Sequence, residues 1–470
     1  MKHDLVVFVP GITGTRLTRE GRDLWDLSLR ALLGAVPPRK LIDRLRLPEG
    51  IGDERPEEPY AVEAAGLVHR PTGLPGLLTQ QGYPDVAGLL TGLHPGQFVV
   101  FPYDWRLSNR LTAADLKRRV SVELERWTQQ FRTAYPKAED DPKVTLVCHS
   151  MGGLVARHYL ECLDGRETAR ALVTVGTPHR GAAQAVRFLT GHGAGSGLLG
   201  RAAAALAPRL NERLTRLVRS FPSVGQLLPV YEAVRRPDYP DGYYDHLTDI
   251  DAGLPTGTVR DVFAFHDEFE TALRNNLRGH TDRSLPYEVR CLGGRAHPTV
   301  HGVTVHPGRE PEFHYALDDV EPWSGDGTVP AESAFAAWAL RRTDDALWNG
   351  HRHGHLISAE AFGHQLDAIH HSRSARDTLA DDAFGIVVPE FAVAGDPFDL
   401  VATGVERGRA VRAALHAHGD DRPRDWVVLP EAEPGERRGS LTAGPGTWVL
   451  TVVADRPDTV QREVLTVLEA

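Results

Sequence analysis

Along the first two-thirds of the chain, short runs of continuous apolar residues alternate with longer segments whose apolar positions recur every three or four residues. Leu5–Val9, residues 97–101, Val144–Cys148 and residues 171–176 are of the first kind. They are too short for helices, rich in β-branched residues and free of charge, so they predict strands buried on both faces of a parallel sheet. Residues 111–131 and the stretch that follows Gly152 are of the second kind and predict helices. Residues 287–292 resume a strand, and strand–helix alternation in this order predicts an α/β architecture. Between about 183 and 285 the strand signal disappears, and sequence rich in Gly, Ala and Leu, then helical, predicts an inserted helical cap. Beyond a linker at 372–384 the pattern changes again. Residues 386–393, 398–403, 426–429, 447–453 and 460–467 read as short alternating strands between Gly, Pro and Asp turns, which predicts a small β-sandwich over 385–470.

The chemistry gathers at the ends of these strands. After Val144–Cys148 the chain turns through His149-Ser150-Met151-Gly152-Gly153 and continues as a helix. Strand, sharp turn and helix with a serine at the apex is the form of the nucleophile elbow of α/β-hydrolases, which lifts the hydroxyl above the sheet. Small residues are needed on both flanks; Gly152 meets the need, and Cys148 stands where glycine is usual. Ser150 is therefore the candidate nucleophile. The glycine-bearing turn Pro10-Gly11-Ile12-Thr13-Gly14-Thr15 leaves backbone N–H groups pointing outward from a central strand. Thr13 is the candidate for one oxyanion donor and Met151, the residue after the nucleophile, for the other.

Asp326, between Gly325 and Gly327, is placed to present its carboxylate and is the candidate acid. The run His351-Arg352-His353-Gly354-His355 admits a metal site, since alternate histidines on a strand share a side, but no fitting cysteine or carboxylate set lies beside it. The stronger reading makes one of these histidines a general base, because Ser150, Asp326, His353 is the chain order of α/β-hydrolases. His353 is preferred, with Leu356 three residues on to anchor a helix start, and His355 is held in reserve. His179, at the end of the 171–176 strand, precedes any candidate acid and is set aside; the other scattered histidines are expected at the surface. Asp104 and Arg106 are expected to pair and fix a loop beside the elbow. Nothing in this chemistry calls for a metal or an organic cofactor.

A net charge of −10 argues against nucleic-acid binding and against general attraction to anionic membranes. Three cysteines, Cys148, Cys162 and Cys291, cannot form a disulfide framework and suit a reducing compartment. No apolar run approaches the roughly 18 residues of a membrane-spanning helix. The N-terminal apolar segment is too short for a signal peptide, so a cytoplasmic protein is expected. Two stretches admit peripheral contact with a lipid surface, with core packing as the plainer alternative. One is the amphipathic excursion at 23–48, which leads into an acidic, proline-bearing surface loop at 49–59. The other is a helix from Pro208, where Leu210, Leu214, Leu217 and Val218 share a face and Arg209, Arg213, Arg216 and Arg219 crowd its flank. The C-terminal region carries no evident chemistry and is expected to brace the rest or to bind a protein partner.

With these pieces in place, the chain resembles the lecithin:cholesterol acyltransferase family. The matching strings are Val9-Pro10-Gly11-Ile12-Thr13-Gly14, Pro102-Tyr103-Asp104-Trp105-Arg106, His149-Ser150-Met151-Gly152-Gly153, Gly176-Thr177-Pro178-His179-Arg180-Gly181, residues 220–229 and residues 325–330, in the family's order across about 4–372. The resemblance implies an α/β-hydrolase fold over 1–372, Ser150 as nucleophile, Asp326 as acid, a histidine near 353 as base, and an oxyanion hole at Thr13 and Met151. It implies hydrolysis or transfer of lipid acyl groups; a small-ester carboxylesterase and a non-catalytic binding protein on the same scaffold are the alternatives. The signal peptide and disulfide-closed lid of secreted members are absent, and the C-terminal sandwich is not part of the usual pattern.

Overall fold

The computed structural model describes residues 3–25, 44–57, 61–69, 72–74, 78–80, 83, 85–192, 208–238, 243–278, 285–306, 309–315, 324–340, 346–358, 360–371, 384–389, 391–417, 423, 425–454 and 459–468. Residues 26–43 of the amphipathic excursion and 372–383 of the expected linker lie outside them.

Six strands lie side by side as one parallel sheet: β1 (Leu5–Val9), β2 (Phe98–Val100), β3 (Val144–His149), β4 (Ala169–Val175), β5 (Glu288–Gly294) and β6 (Leu347–Asn349), the last not expected from the sequence, in the order β6-β5-β4-β3-β1-β2. Continuous hydrophobicity follows from covering both faces. In β1, Leu5, Val7 and Val9 enter one apolar cluster while Val6 and Phe8 enter the other. Helices α1 (Asn109–Ala134) and α2 (Gly152–Cys162) fill the first cluster with Leu116, Val120, Trp127, Val155 and Leu160. Ser108 caps α1, its Oγ accepting from the Arg110 N–H at 3.3 Å.

The stretch expected as a helical cap is not one layer. It holds α3 (Gln184–Thr190), α4 (Pro208–Arg219) and α5 (Thr256–Asn276). Helix α5 packs on the elbow helix: Phe265 and Phe269 cluster with Leu154 of α2, and Arg157 of α2 pairs with Glu270 at 2.8 Å. The apolar face of α5 is thus spent against α2. The stretch also contains a strand, Val234–Arg235, which joins Gly302–Thr304 and Glu312–His314 in a small sheet. Two residues are too short to leave a periodic signal. In α4, Leu217 and Val218 are buried in the first core cluster and Leu214 packs against it. Its apolar stripe therefore faces protein, and the plainer reading holds for that helix; the side chain of Leu210 lies outside the described residues.

The second face of the sheet is covered by α6 (Glu360–His370) and the turn before it, through Leu356, Ile357, Phe362, Leu366 and Ile369. Beyond it come β7 (Gly385–Val387), β8 (Phe391–Val393), β9 (Phe398–Thr403), β10 (Val411–Ala417), β11 (Val427–Leu429), β12 (Glu431–Glu433), β13 (Glu436–Leu441), β14 (Gly446–Ala454) and β15 (Thr459–Leu468). They form two sheets, β7-β9-β13-β12 and β8-β15-β14-β10-β11, which contribute to one apolar cluster that includes Ile386, Leu400, Val411, Leu450 and Leu465. β10, β12 and β13 were not expected from the sequence. β13 carries two arginines, and Arg437 is buried, bonded to the Arg409 carbonyl at 3.2 Å.

The histidines depart most from expectation. His158, His266, His297, His301, His370 and His416 are buried rather than at the surface. An imidazole carries both a donor and an acceptor, yet His158 Nδ1, His297 Nδ1, His266 Nε2 and His370 Nε2 are buried with no hydrogen-bond partner among the described residues. No helix among the described residues is long and apolar enough to cross a membrane.

Candidate active site

β3 ends at His149, and the chain reverses at Ser150 into α2. Ser150 is left-handed, with φ 52°. That conformation costs a non-glycine residue roughly 1–2 kcal/mol and is held here by its surroundings. The Ser150 N–H donates to the Val175 carbonyl at 2.8 Å, and its carbonyl accepts from Thr177 Oγ1 at 2.9 Å. The glycines are required by contact. A Cβ at Gly152 would stand 2.5 Å from the Val9 carbonyl oxygen, and one at Gly153 would stand 2.2 Å from Thr177 Oγ1. Gly11 lies against the nucleophile itself, where a Cβ would be 2.8 Å from Ser150 Cβ.

The structure brings Ser150, His353 and Asp326 together at the carboxyl edge of the sheet. His353 Nε2 lies 2.8 Å from Ser150 Oγ, and His353 Nδ1 lies 2.7 Å from Asp326 Oδ2. Asp326 is buried in a turn between two positive-φ glycines, and its Oδ1 accepts from the Thr328 and Val329 N–H groups at 2.9 and 2.7 Å. The carboxylate needs Nδ1 to be the donor, which leaves Nε2 to accept from the serine hydroxyl. The His353 N–H also donates to the Asp326 carbonyl at 2.9 Å, so backbone as well as side chain joins the two loops.

His355, held in reserve as the base, does not reach the serine. Its Nδ1 pairs with Glu463 Oε2 of β15 at 3.0 Å. Residues two apart in this tight turn (His353–Ser358) face different ways, which separates His353 from His355. Among the described residues no group of three or more His, Cys, Asp or Glu side chains is arranged to hold a metal ion. His179 lies elsewhere, buried against the Trp338 ring with Nε2 3.3 Å from Thr174 Oγ1. Burial pushes its proton affinity far below the ordinary histidine value.

Thr13 is buried with φ 63°. Its carbonyl accepts from Trp25 Nε1 at 2.8 Å and its hydroxyl donates to the Ile12 carbonyl at 2.6 Å. The residue is thus fixed by groups other than its N–H. Among the described residues, neither the Thr13 nor the Met151 N–H has a hydrogen-bond partner.

Two residues that sequence reasoning passed over complete the surroundings. Tyr83 Oη accepts from the Gly11 N–H at 2.8 Å and lies 2.8 Å from His149 Nδ1. His149 Nε2 lies 3.2 Å from the His353 carbonyl. Burial, with His353 beside it, holds His149 neutral, its pKa lowered to about 3. A carbonyl only accepts, so Nε2 must donate and Nδ1 must accept the tyrosine proton. The chain of bonds therefore runs one way, from the Gly11 turn through Tyr83 and His149 to the backbone of the histidine loop. His149 was visible as the neighbour of the serine; Tyr83 carried no sequence signal.

Around this centre the strings that carry the resemblance touch one another. Tyr103 Oη donates to the Pro10 carbonyl at 2.7 Å, Trp105 Nε1 to the Thr15 carbonyl at 3.2 Å, and Ser223 Oγ to the Trp105 carbonyl at 2.6 Å. Asp104 and Arg106 pair as expected, with both carboxylate oxygens engaged at 2.7 and 2.9 Å. The Ala182 N–H meets the Leu227 carbonyl and the Val230 N–H the Arg180 carbonyl. The model of the lecithin:cholesterol acyltransferase family matches residues 89–241. Over that segment this chain is similar to the lecithin:cholesterol acyltransferases. The segment contains Ser150 but neither Asp326 nor His353.

Among solved structures, a chain of the Tle4–Tli4 complex is 18% identical, with 80% of this chain and 99% of that chain covered at a TM-score of 0.46. The mature Bacillus licheniformis lipase BlEst2 is 14% identical, with 75% and 86% covered at 0.30. Phospholipase PlaB from Legionella pneumophila is 11% identical, with 99% and 92% covered at 0.26. No curated protein matches.

Proposed function

We propose that this protein is a serine hydrolase or O-acyltransferase of lipid acyl esters. One observation carries the reading: the unbroken hydrogen-bonded line from the Ser150 hydroxyl through His353 to the buried Asp326 carboxylate. In this reading His353 Nε2 takes the serine proton as Oγ attacks the acyl carbonyl carbon. The Met151 and Thr13 N–H groups hold the oxyanion, and Asp326 keeps the imidazole in its tautomer and stabilises the imidazolium. The proton passes to the leaving alcohol as the tetrahedral intermediate collapses to an acyl-enzyme. Water or an acceptor alcohol, deprotonated by His353, then takes the acyl group. The lipid assignment is supported by the match over 89–241 to a family named for acyl transfer from lecithin.

The wider architecture fits the same reading. We take α3 and α4 as the helical cap and the two C-terminal sheets as a β-sandwich. The free cysteines support a reducing, cytoplasmic setting.

The test is covalent labelling and product analysis on the purified full chain. A fluorophosphonate should label the wild type and not Ser150→Ala; persistent labelling of the alanine variant sinks the assignment. Incubation with phospholipid should give free fatty acid without an acceptor, and a new ester with a sterol or glycerol acceptor.

A small-ester carboxylesterase is the second reading, favoured by the burial of the apolar stripe of α4, which leaves that helix no greasy face for a lipid surface. A rate jump above the micelle threshold of a nitrophenyl ester series supports the lipid reading, and its absence supports the esterase.

A further inference from the structure

We infer that the C-terminal sheets hold the base of the active site in register, and that Glu463 is the positioning residue through which they act. This inference rests on the reading of Ser150, Asp326 and His353 as a triad. The segment that carries His353 is short, between β6 and α6, and its neighbours at both ends of the turn are tied to the C-terminal sheets. Arg352 Nη1 donates to the Val388 carbonyl at 3.4 Å, and His355 Nδ1 meets Glu463 Oε2 at 3.0 Å. The second pair is nearly dry, with side-chain exposures of 9% and 5%.

The aspartate loop is held from the same side. Thr403 Oγ1 of β9 donates to the Ala296 carbonyl at 2.5 Å, and a Cβ at Gly385 of β7 would stand 2.0 Å from that same oxygen. One residue on, the His297 N–H donates to the Gly325 carbonyl at 3.1 Å and His297 Nε2 lies 2.7 Å from the Gly350 carbonyl. The two loops that supply the base and the acid therefore share one backing, and it belongs to the C-terminal sheets.

Glu463 is oddly placed for any other task. On β15 it shares a strand face with Leu465 and Val467, which lie in the apolar cluster of those sheets. A carboxylate there is costly unless paired. Burial raises its pKa, yet His355, with Arg352 and His297, more than offsets this and holds it at about 2. The charge is kept ionised by the loop it grips.

Removing the carboxylate frees the turn that sets the His353 imidazole against Ser150. A displacement of about 1 Å there costs on the order of 10²-fold in rate. His355 and Glu463 pair with each other and not with the reacting groups, so kcat should fall and KM should not.

The experiment compares full-length wild type, Glu463→Ala, Glu463→Gln and His355→Leu, with turnover expressed per site titrated by a fluorophosphonate. Glu463→Ala and His355→Leu should lose about 10- to 100-fold in kcat per titrated site with KM within about twofold. Glu463→Gln, whose amide oxygen still accepts from His355, should recover most of it. His355→Leu breaks the same contact from the other side and decides the matter if Glu463→Ala does not fold. Wild-type kcat per titrated site in either variant, or a loss that only follows the number of titratable sites, overturns the inference. Turnover that persists in Ser150→Ala instead removes the triad reading itself, whatever Glu463 does.

Discussion

The two loops that meet at the site are built on opposite principles. The elbow at 149–153 is held by what lies next to it: β1 and β4 on either side of β3, the Val9 carbonyl against Gly152, and Thr177 against Gly153. The turn at 351–358 is held by polar groups reaching it from several separate segments. Its anchors are Asp326, His149, Val388 and Glu463. Crowding between neighbouring backbones forces particular small residues at fixed spacing, and that writes a motif. A single buried charge pair demands one acceptor somewhere, and any strand can supply it.

That contrast can be broken or sharpened by experiment. The largest effect expected is Ser150→Ala, which should lower kcat by at least about 10⁴-fold with the fold intact. Unchanged circular dichroism together with residual full-rate turnover would remove the elbow from the chemistry. Next, Gly152→Ala should be intolerable for purely local reasons, since its Cβ meets two backbone carbonyls, Val9 at 2.5 Å and Pro10 at 2.7 Å. A loss of about 1–3 kcal/mol in urea unfolding is expected; a neutral result would mean the elbow is less crowded than described.

Tyr83→Phe tests the bridge between the two loops. It leaves the Gly11 N–H and His149 Nδ1 buried without their partner, at about 1–3 kcal/mol for each group. Lower stability with lower kcat is the outcome expected from thermal melts and ester kinetics on the same preparation. Full activity would show that the two loops are positioned separately.

The most gradual effect, spread over several pH units, concerns acid. His149 and His297, held neutral chiefly by burial with pKa values lowered to about 3 and about 4, bind a proton more readily unfolded than folded. Their folded values lie below the unfolded value of about 6.5, so stability is fully present above that pH. It declines as pH falls toward the folded values, by up to about 1.4 kcal/mol per pH unit for each histidine. Glu463, held at about 2, acts lower, its contribution being lost as pH falls from about 4.3 toward 2. Urea midpoints at pH 7.5, 6.5, 5.5 and 4.5 read the first window; a flat series would mean these histidines are hydrated or charged in the native state.

Much of the architecture was legible because it is periodic or local. Four strands of the central sheet, β1 to β4, announced themselves as short apolar runs, since both faces of a parallel sheet are covered; the three-residue edge strand β6 was too short to show. The Asp326 turn was marked by its two glycines, both of which take positive φ. The partner of helix α5 could not be read, because amphipathicity reveals that a helix has a partner but not which one; its partner is α2. The buried histidines were misread because an imidazole satisfied by a tyrosine or a carbonyl looks, in one dimension, like an exposed one. Strand β13 was missed because Arg437, buried under the Arg409 carbonyl, breaks the alternation that marks strands.

The chain's own order of residues thus settled where backbone must turn tightly and which runs must be buried, because sterics and hydrophobicity act between near neighbours. Which histidine faces the serine was left to the folded state. His353 and His355 differ by two positions, and the local sequence set them apart only by the Leu356 that follows His353 at three residues. Their roles divide only when β15 brings Glu463 to one and the glycine-flanked turn brings Asp326 to the other.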